Sequence, residues 1–150
     1  MTVAVDPDLG DVEILDYVIV EDGGVLVNPM IVDGQIYGGL AQGIGTALYE
    51  EMPFDAAAQP LATTLADYLL PGPTEVPEPR IYHMETPSPY TMFGVKGIGE
   101  GGAIAPPAAI ANAVNDALRP LGVELLHSPI SPRRIVEAVL AARDAERPAA

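Results

Sequence analysis

The sequence predicts an α+β fold in which short strands pack with about three helices. Three observations carry this reading. β-branched residues gather near the N-terminus in short runs broken by turn residues, four apolar residues recur at four-residue spacing within 33–52, and Pro-initiated helical stretches follow residue 105. The 150 residues are enough for about one domain with its own core, and no internal repeat divides them.

Residues 1–32 read as strands and a turn. Val12, Ile14, Tyr17 and Ile19 mark one longer strand, Asp22-Gly23-Gly24 a turn, and Val25 and Val27 a short second extended stretch. Pro29 then steers Asn28 away from the helical region, and Asp22 and Asn28 both read as turn-formers. Residues 33–52 read as a Gly-rich helix with Asp33 as N-cap and Ile36, Leu40, Ile44 and Leu48 on one face. Its Gly38, Gly39, Gly43 and Gly45 each cost about 1 kcal/mol relative to Ala in a helix interior. A helix that accepts so many glycines is expected to be approached closely by another backbone or a ligand. A short helix is expected over Leu61–Leu70. The prolines at 71, 73, 77, 79, 87 and 89 keep 71–93 extended, with Arg80–Glu85 as its strand. Residues 106–145 hold the remaining helices. Pro106 and Pro107 fit a first turn running on to Leu118, and Val123–Leu126 reads as a short strand. Ser131 and Pro132 open a last helix with Ile135, Val139 and Leu140 on one face. The tail 147–150 is expected to fray.

Composition excludes several functions. Acidic residues outnumber basic ones by 21 to 7, a formal charge of −14 that repels a phosphate backbone, so nucleic acid is not a partner. Without cysteine the chain holds no disulfide and no cysteine-ligated metal or iron-sulfur cluster, so any electron-transfer centre is expected to lie elsewhere. No apolar run approaches the ~20 residues that span a bilayer, and the acidic start lacks a signal-peptide pattern; we expect a cytoplasmic protein. His83 and His127 have no ligand-like neighbours in sequence, and no side chain is assigned to a metal.

The sharpest feature is the Gly-rich loop 94–102, GVKGIGEGG, which contains the only lysine, Lys96. Gly97, Gly99 and Gly102 satisfy a G-x-G-x-x-G pattern, but the Pro-broken TPSPYTMF before it is not the buried strand that a dinucleotide fold needs. A Walker A loop is excluded because neither Ser nor Thr follows Lys96. What remains is one carboxylate, Glu100, among glycines that let a ligand approach the backbone. Removed from water it would serve as a base near neutral pH; left in water it is a solvated acid on a turn. The pattern alone leaves both open.

GVKGIGEGG, with ETPSPYT before it and AIANAVNDAL after it, resembles the C-terminal active-site segment of the molybdenum hydroxylases, the family of xanthine dehydrogenase, aldehyde oxidase and CO dehydrogenase. The upstream EDGGVLVNPMIVDGQIYGGLAQGIGTALYEE resembles that family's Asn-Pro turn and Gly-Gln helix beside the pterin. The resemblance implies part of a molybdenum cofactor-binding domain, with Glu100 as catalytic base and with Gln35, Lys96, Gly97 and Gly99 toward the cofactor. Lys96 could equally pair with an acid of the surrounding protein, and Gln42, two turns on from Gln35, reads as a packing group or a polar group behind the contacts rather than a contact itself. The cofactor implied is molybdenum-molybdopterin in its cytosine dinucleotide form, shared with a larger molybdopterin-binding subunit, while iron-sulfur and FAD groups sit on further subunits. The substrate class implied is an aldehyde, an N-heterocycle or a CO-like molecule. Family large subunits are several times longer than this chain, which implies a split subunit or fragment inactive alone; a non-catalytic remnant is the alternative.

Overall fold

The computed structural model describes residues 1–145, so the expected fraying of 147–150 lies outside the described residues. Strand β1 (Thr2–Val5) pairs antiparallel with β2 (Val12–Asp16), and β3 (Val18–Asp22) pairs parallel with β4 (Arg80–Met84). The single long strand expected from Val12 is therefore two. It breaks at Tyr17 because its halves pair with different partners: the Tyr17 ring is buried and its carbonyl accepts the Arg80 N–H at 2.9 Å. The second extended stretch expected at 25–27 forms no strand; only a bridge between Gly24 and Val95 occurs there. The strand expected at 80–85 is present as β4.

Helix α1 spans Pro29–Ile44 and continues as one π-helical turn, Gly45–Tyr49. It starts four residues earlier than expected, because Asn28, not Asp33, is its cap. Asn28 is extended (φ −144°, ψ 98°), its side chain accepts the Ile31 N–H at 3.3 Å, and Pro29 occupies the first turn, where a missing N–H costs nothing. Ile36, Leu40, Ile44 and Leu48 all face the core, as their spacing predicts. The helix expected over 61–70 does not form. Leu61, Leu65, Leu69 and Leu70 are each at least half exposed, so no buried face is available to stabilise a short helix, and local turns about Asp55 and Thr64 take its place.

The short helix α2 (Gly101–Ile104), which periodicity did not reveal, leads into α3 (Pro106–Leu118). α3 buries Ile110, Val114 and Leu118, and α4 (Pro132–Ala145) buries Ile135 and Val139 while leaving Leu140 half exposed, off the face where it was expected. Ser131 does not cap α4 with its side chain. Its hydroxyl is buried with no hydrogen-bond partner, and it is the Ser131 carbonyl that accepts the Ile135 N–H.

Residues 123–126 show the alternating burial of a strand without being one, since no neighbouring strand reaches them. The Asn115 side chain acts as the partner instead: its amide donates to the Leu125 carbonyl at 3.0 Å and its oxygen accepts the Leu125 N–H at 2.7 Å. Asn115→Ala leaves both half-buried backbone groups unpaired and is expected to cost about 1–3 kcal/mol of stability, read from the urea midpoint. An unchanged midpoint would mean that water replaces the amide at no cost.

Candidate functional site

The Gly-rich loop is anchored at its foot by backbone bonds. Lys96 N–H donates to the Gly23 carbonyl at 3.0 Å, and the Gly94 carbonyl accepts from Val25 at 3.3 Å and Ser88 at 3.0 Å. The Lys96 ammonium donates to Asp22 Oδ2 at 2.9 Å and to Thr86 Oγ1 at 3.4 Å. One step on, Ile98 turns inward and packs over Gly23, where a Cβ would lie 3.3 Å from Ile98 Cδ1. The flanking Gly97 and Gly99 look into open space, with nothing within 4 Å of a would-be Cβ. Glu100 follows, exposed, as the residue that opens α2; its carbonyl accepts the Ala103 N–H at 2.9 Å and its side chain makes no capping bond.

The glycines of α1 are explained by what lies on them. A Cβ on Gly39 would sit 2.6 Å from Gly102 C, one on Gly43 2.6 Å from Pro106 Cβ, and one on Gly102 2.7 Å from the Ile36 carbonyl oxygen. Helices α1 and α2 therefore touch backbone to backbone, the close approach that the sequence predicts. Gly34 and Gly38 differ: both face open space on the exposed side of α1, the side that carries Gln35 and Gln42. Gln35 precedes Ile36, which bounds Gly102, and Glu100 stands two residues before Gly102. The backbone contact itself is between Gly102 and Ile36; Gln35 and Glu100 are one and two residues from it in sequence, both exposed.

Two acids at the end of β3 shape the electrostatics. The Glu21 carboxylate fills the volume that a side chain at Gly101 would need, directly beside Glu100 in sequence. Burial raises the Glu21 carboxyl above its ordinary range, and His83, opposite it in the β3–β4 register, opposes that shift. His83 Nε2 in turn lies 2.9 Å from Asp33 Oδ1. Asp22 behaves oppositely: the Lys96 ammonium, then the N–H groups of Gly24 and Thr86, hold its carboxyl below the ordinary range. Sequence reasoning missed Glu21, because only the strand register and the fold of α2 bring it over the loop.

The sign of the Glu21 effect is testable. A folded-state pKa raised above the unfolded value means that the native state holds the proton more tightly, so the stability contributed by this one group is fully present at low pH and is lost as pH rises through the folded pKa. Glu21→Gln is expected to match the parent protein in acid and to exceed its Tm at neutral pH, in melts taken from about pH 4 to 8. A variant less stable than the parent at neutral pH would reverse the sign.

Among the described residues no group of three or more His, Cys, Asp or Glu could hold a metal ion. The exposed groups near the α1–α2 contact in sequence are the Gln35 amide, the Glu100 carboxylate and the uncovered backbone of Gly97 and Gly99, while the Lys96 ammonium is held by Asp22 and Thr86. A cleft of about 430 Å³ lined by Asp11, Glu13, Tyr49 and Glu75 includes no residue of the loop. No helix among the described residues is long and apolar enough to cross a membrane.

A Gly-rich helix packs against the short helix that follows a glutamate-bearing loop, and comparison with known proteins gives this arrangement a family. Residues 1–77, just over half of the chain, match the model of the molybdopterin cofactor-binding domain, and the chain belongs to that family. It is 45% identical over 148 residues to the nicotine 6-hydroxylase large subunit of Paenarthrobacter nicotinovorans, covering 99% of this chain and 18% of that one. To the carbon monoxide dehydrogenase large chain of Hydrogenophaga pseudoflava it is 37% identical over 133 residues, covering 89% of this chain and 17% of that one. Among solved structures, quinoline 2-oxidoreductase from Pseudomonas putida 86 superposes with a TM-score of 0.89 at 46% identity, over 97% of this chain and 18% of that one. The chain thus spans under a fifth of the length of these relatives.

Proposed function

We propose that this chain supplies the general base and one wall of the pterin site in a molybdenum-dependent hydroxylase acting on an N-heteroaromatic ring. The observation that supports this reading is the backbone contact of α1 and α2: Glu100, uncapped, opens the short helix whose Gly102 lies against Ile36, and Gly97 and Gly99 just before it are uncovered. The cofactor, when bound, supplies the two-electron oxidation. The chain's own residues have other tasks. Glu100 accepts a proton at its carboxylate as a ring carbon exchanges hydrogen for a hydroxyl group drawn from water, a change that releases two electrons and two protons. Gln35 is suited to a heterocycle edge because its amide both donates and accepts. Gly97 and Gly99 let the pterin approach the backbone, and Lys96, paired with Asp22, holds the foot of the loop.

The choice of an N-heteroaromatic substrate rests on the two relatives at 45% and 46% identity, which are named for nicotine and quinoline. The rest of the site we assign to a larger molybdopterin-binding part, with the cofactor in its cytosine dinucleotide form and the electrons passing to iron-sulfur and FAD subunits. Exposed apolar side chains in the segments leading into the loop and into α1 support such a contact: Tyr90 is 95% exposed, Phe93 80% and Val27 85%.

The test is to purify the complex through a tag on this chain, quantify molybdenum, and assay quinoline and nicotine with an artificial electron acceptor. Stoichiometric metal and ring hydroxylation support the proposal. A metal-free chain from cells that make other molybdenum enzymes would point to a remnant and overturn it.

A further inference from the structure

We infer that Asp22 and Lys96 form a clasp that positions Glu100, an inference that rests on Glu100 being the base. A single carboxylate at the end of β3 gathers three separate segments. Asp22 Oδ1 accepts the Gly24 N–H at 3.0 Å and the Thr86 N–H at 3.2 Å, and Oδ2 accepts from the Lys96 ammonium at 2.9 Å. The same ammonium reaches Thr86 Oγ1 at 3.4 Å, closing a ring between the β3 turn, the segment after β4 and the foot of the loop.

The loop beyond needs such an anchor. Between Lys96 and Gly102 the chain reads Gly-Ile-Gly-Glu-Gly, and glycine supplies no stiffness of its own. Glu100 therefore takes its position from what holds the loop at each end. On one side Gly102 is locked against Ile36 of α1; on the other stand Lys96 and the inward turn of Ile98. The side chains of Lys96 and Asp22 are 35% and 28% exposed, and partly solvated ion pairs contribute little to global stability. The clasp acts on the geometry of the loop, and Asp22 and Lys96 are positioning residues.

The test uses the complex that contains this chain. Asp22→Asn keeps an acceptor for the Gly24 and Thr86 amides and drops the charge, whereas Lys96→Met removes the other half and leaves the turn intact. Each is expected to speed amide exchange across 97–104 about tenfold. Each is also expected to lower kcat on quinoline about tenfold with KM within about twofold, at unchanged molybdenum content. The double variant should do no more than either single one, since both break the same contact, and Lys96→Arg should restore most of the exchange protection. Unchanged exchange, additive effects, or molybdenum loss in Lys96→Met alone would overturn the clasp, the last by assigning Lys96 to the cofactor. Glu100→Gln in the same preparation separates the two ideas. If that variant turns over normally the base assignment fails, while exchange in the other variants still decides whether Asp22 holds the loop.

Discussion

Glu100→Gln is expected to lower kcat per molybdenum by about 10²–10⁴-fold, the range that a positioned general base contributes. Glutamine preserves size and hydrogen-bonding geometry but has no site that takes up a proton at any working pH. The substitution therefore isolates proton transfer from shape. The fold gives no reason for a larger disturbance: Glu100 is exposed, its side chain caps nothing, and its one structural bond, from the Ala103 N–H, goes to its carbonyl. Stability should accordingly stay within about 0.5 kcal/mol of the parent, as for a surface substitution away from such features. Glu100→Asp keeps the charge but withdraws it by one methylene and should fall between the two, because proton transfer depends steeply on reach. Steady-state kinetics on quinoline, normalised to bound metal, decide the matter. Retention of kcat by the glutamine variant would remove Glu100 from the chemistry.

What the sequence disclosed, and what it withheld, divide along the range of the interactions. Ile36, Leu40, Ile44 and Leu48, and Pro106 at the head of α3, announced their helices because periodicity and Pro placement act within a few residues. The break at Tyr17 was invisible, because it depends on Arg80 arriving to pair with β3. Residues 123–126 kept their alternation and lost their strand because an amide on α3 took the place of a neighbour. Asn28 was legible as punctuation but not as a cap, although an Asn-Pro pair has the chemistry for both. The same division runs through the site. The Gly run and Glu100 stand out locally, and so did the turn-forming habit of Asp22. The partner of Lys96 did not: cofactor and acid were both open, and the ammonium lies on Asp22.

Gly102→Ala is expected to cost more stability than any glycine change on the outer side of α1, about 1–3 kcal/mol or somewhat above, and to reduce turnover as well. The added methyl would meet the Ile36 carbonyl oxygen at 2.7 Å and Ile36 Cα at 2.9 Å. Both are main-chain atoms in the middle of a helix whose own side chain at 36 is fully buried, so no rotamer change relieves the overlap. The helices must part instead. Because α2 is only four residues long and opens at Glu100, any parting shifts the carboxylate relative to α1. Two other glycines serve as controls. At Gly38 a Cβ meets nothing within 4 Å, so Gly38→Ala should raise stability by about 1 kcal/mol through helix propensity alone. At Gly101 the obstacle is the far end of the Glu21 side chain, which can swing away, so Gly101→Ala should cost less than Gly102→Ala. Urea unfolding of the three variants tests that order, and kcat per molybdenum tests its consequence. If Gly102→Ala proved as benign as Gly38→Ala, the backbone contact between α1 and α2 would not be what fixes the position of Glu100.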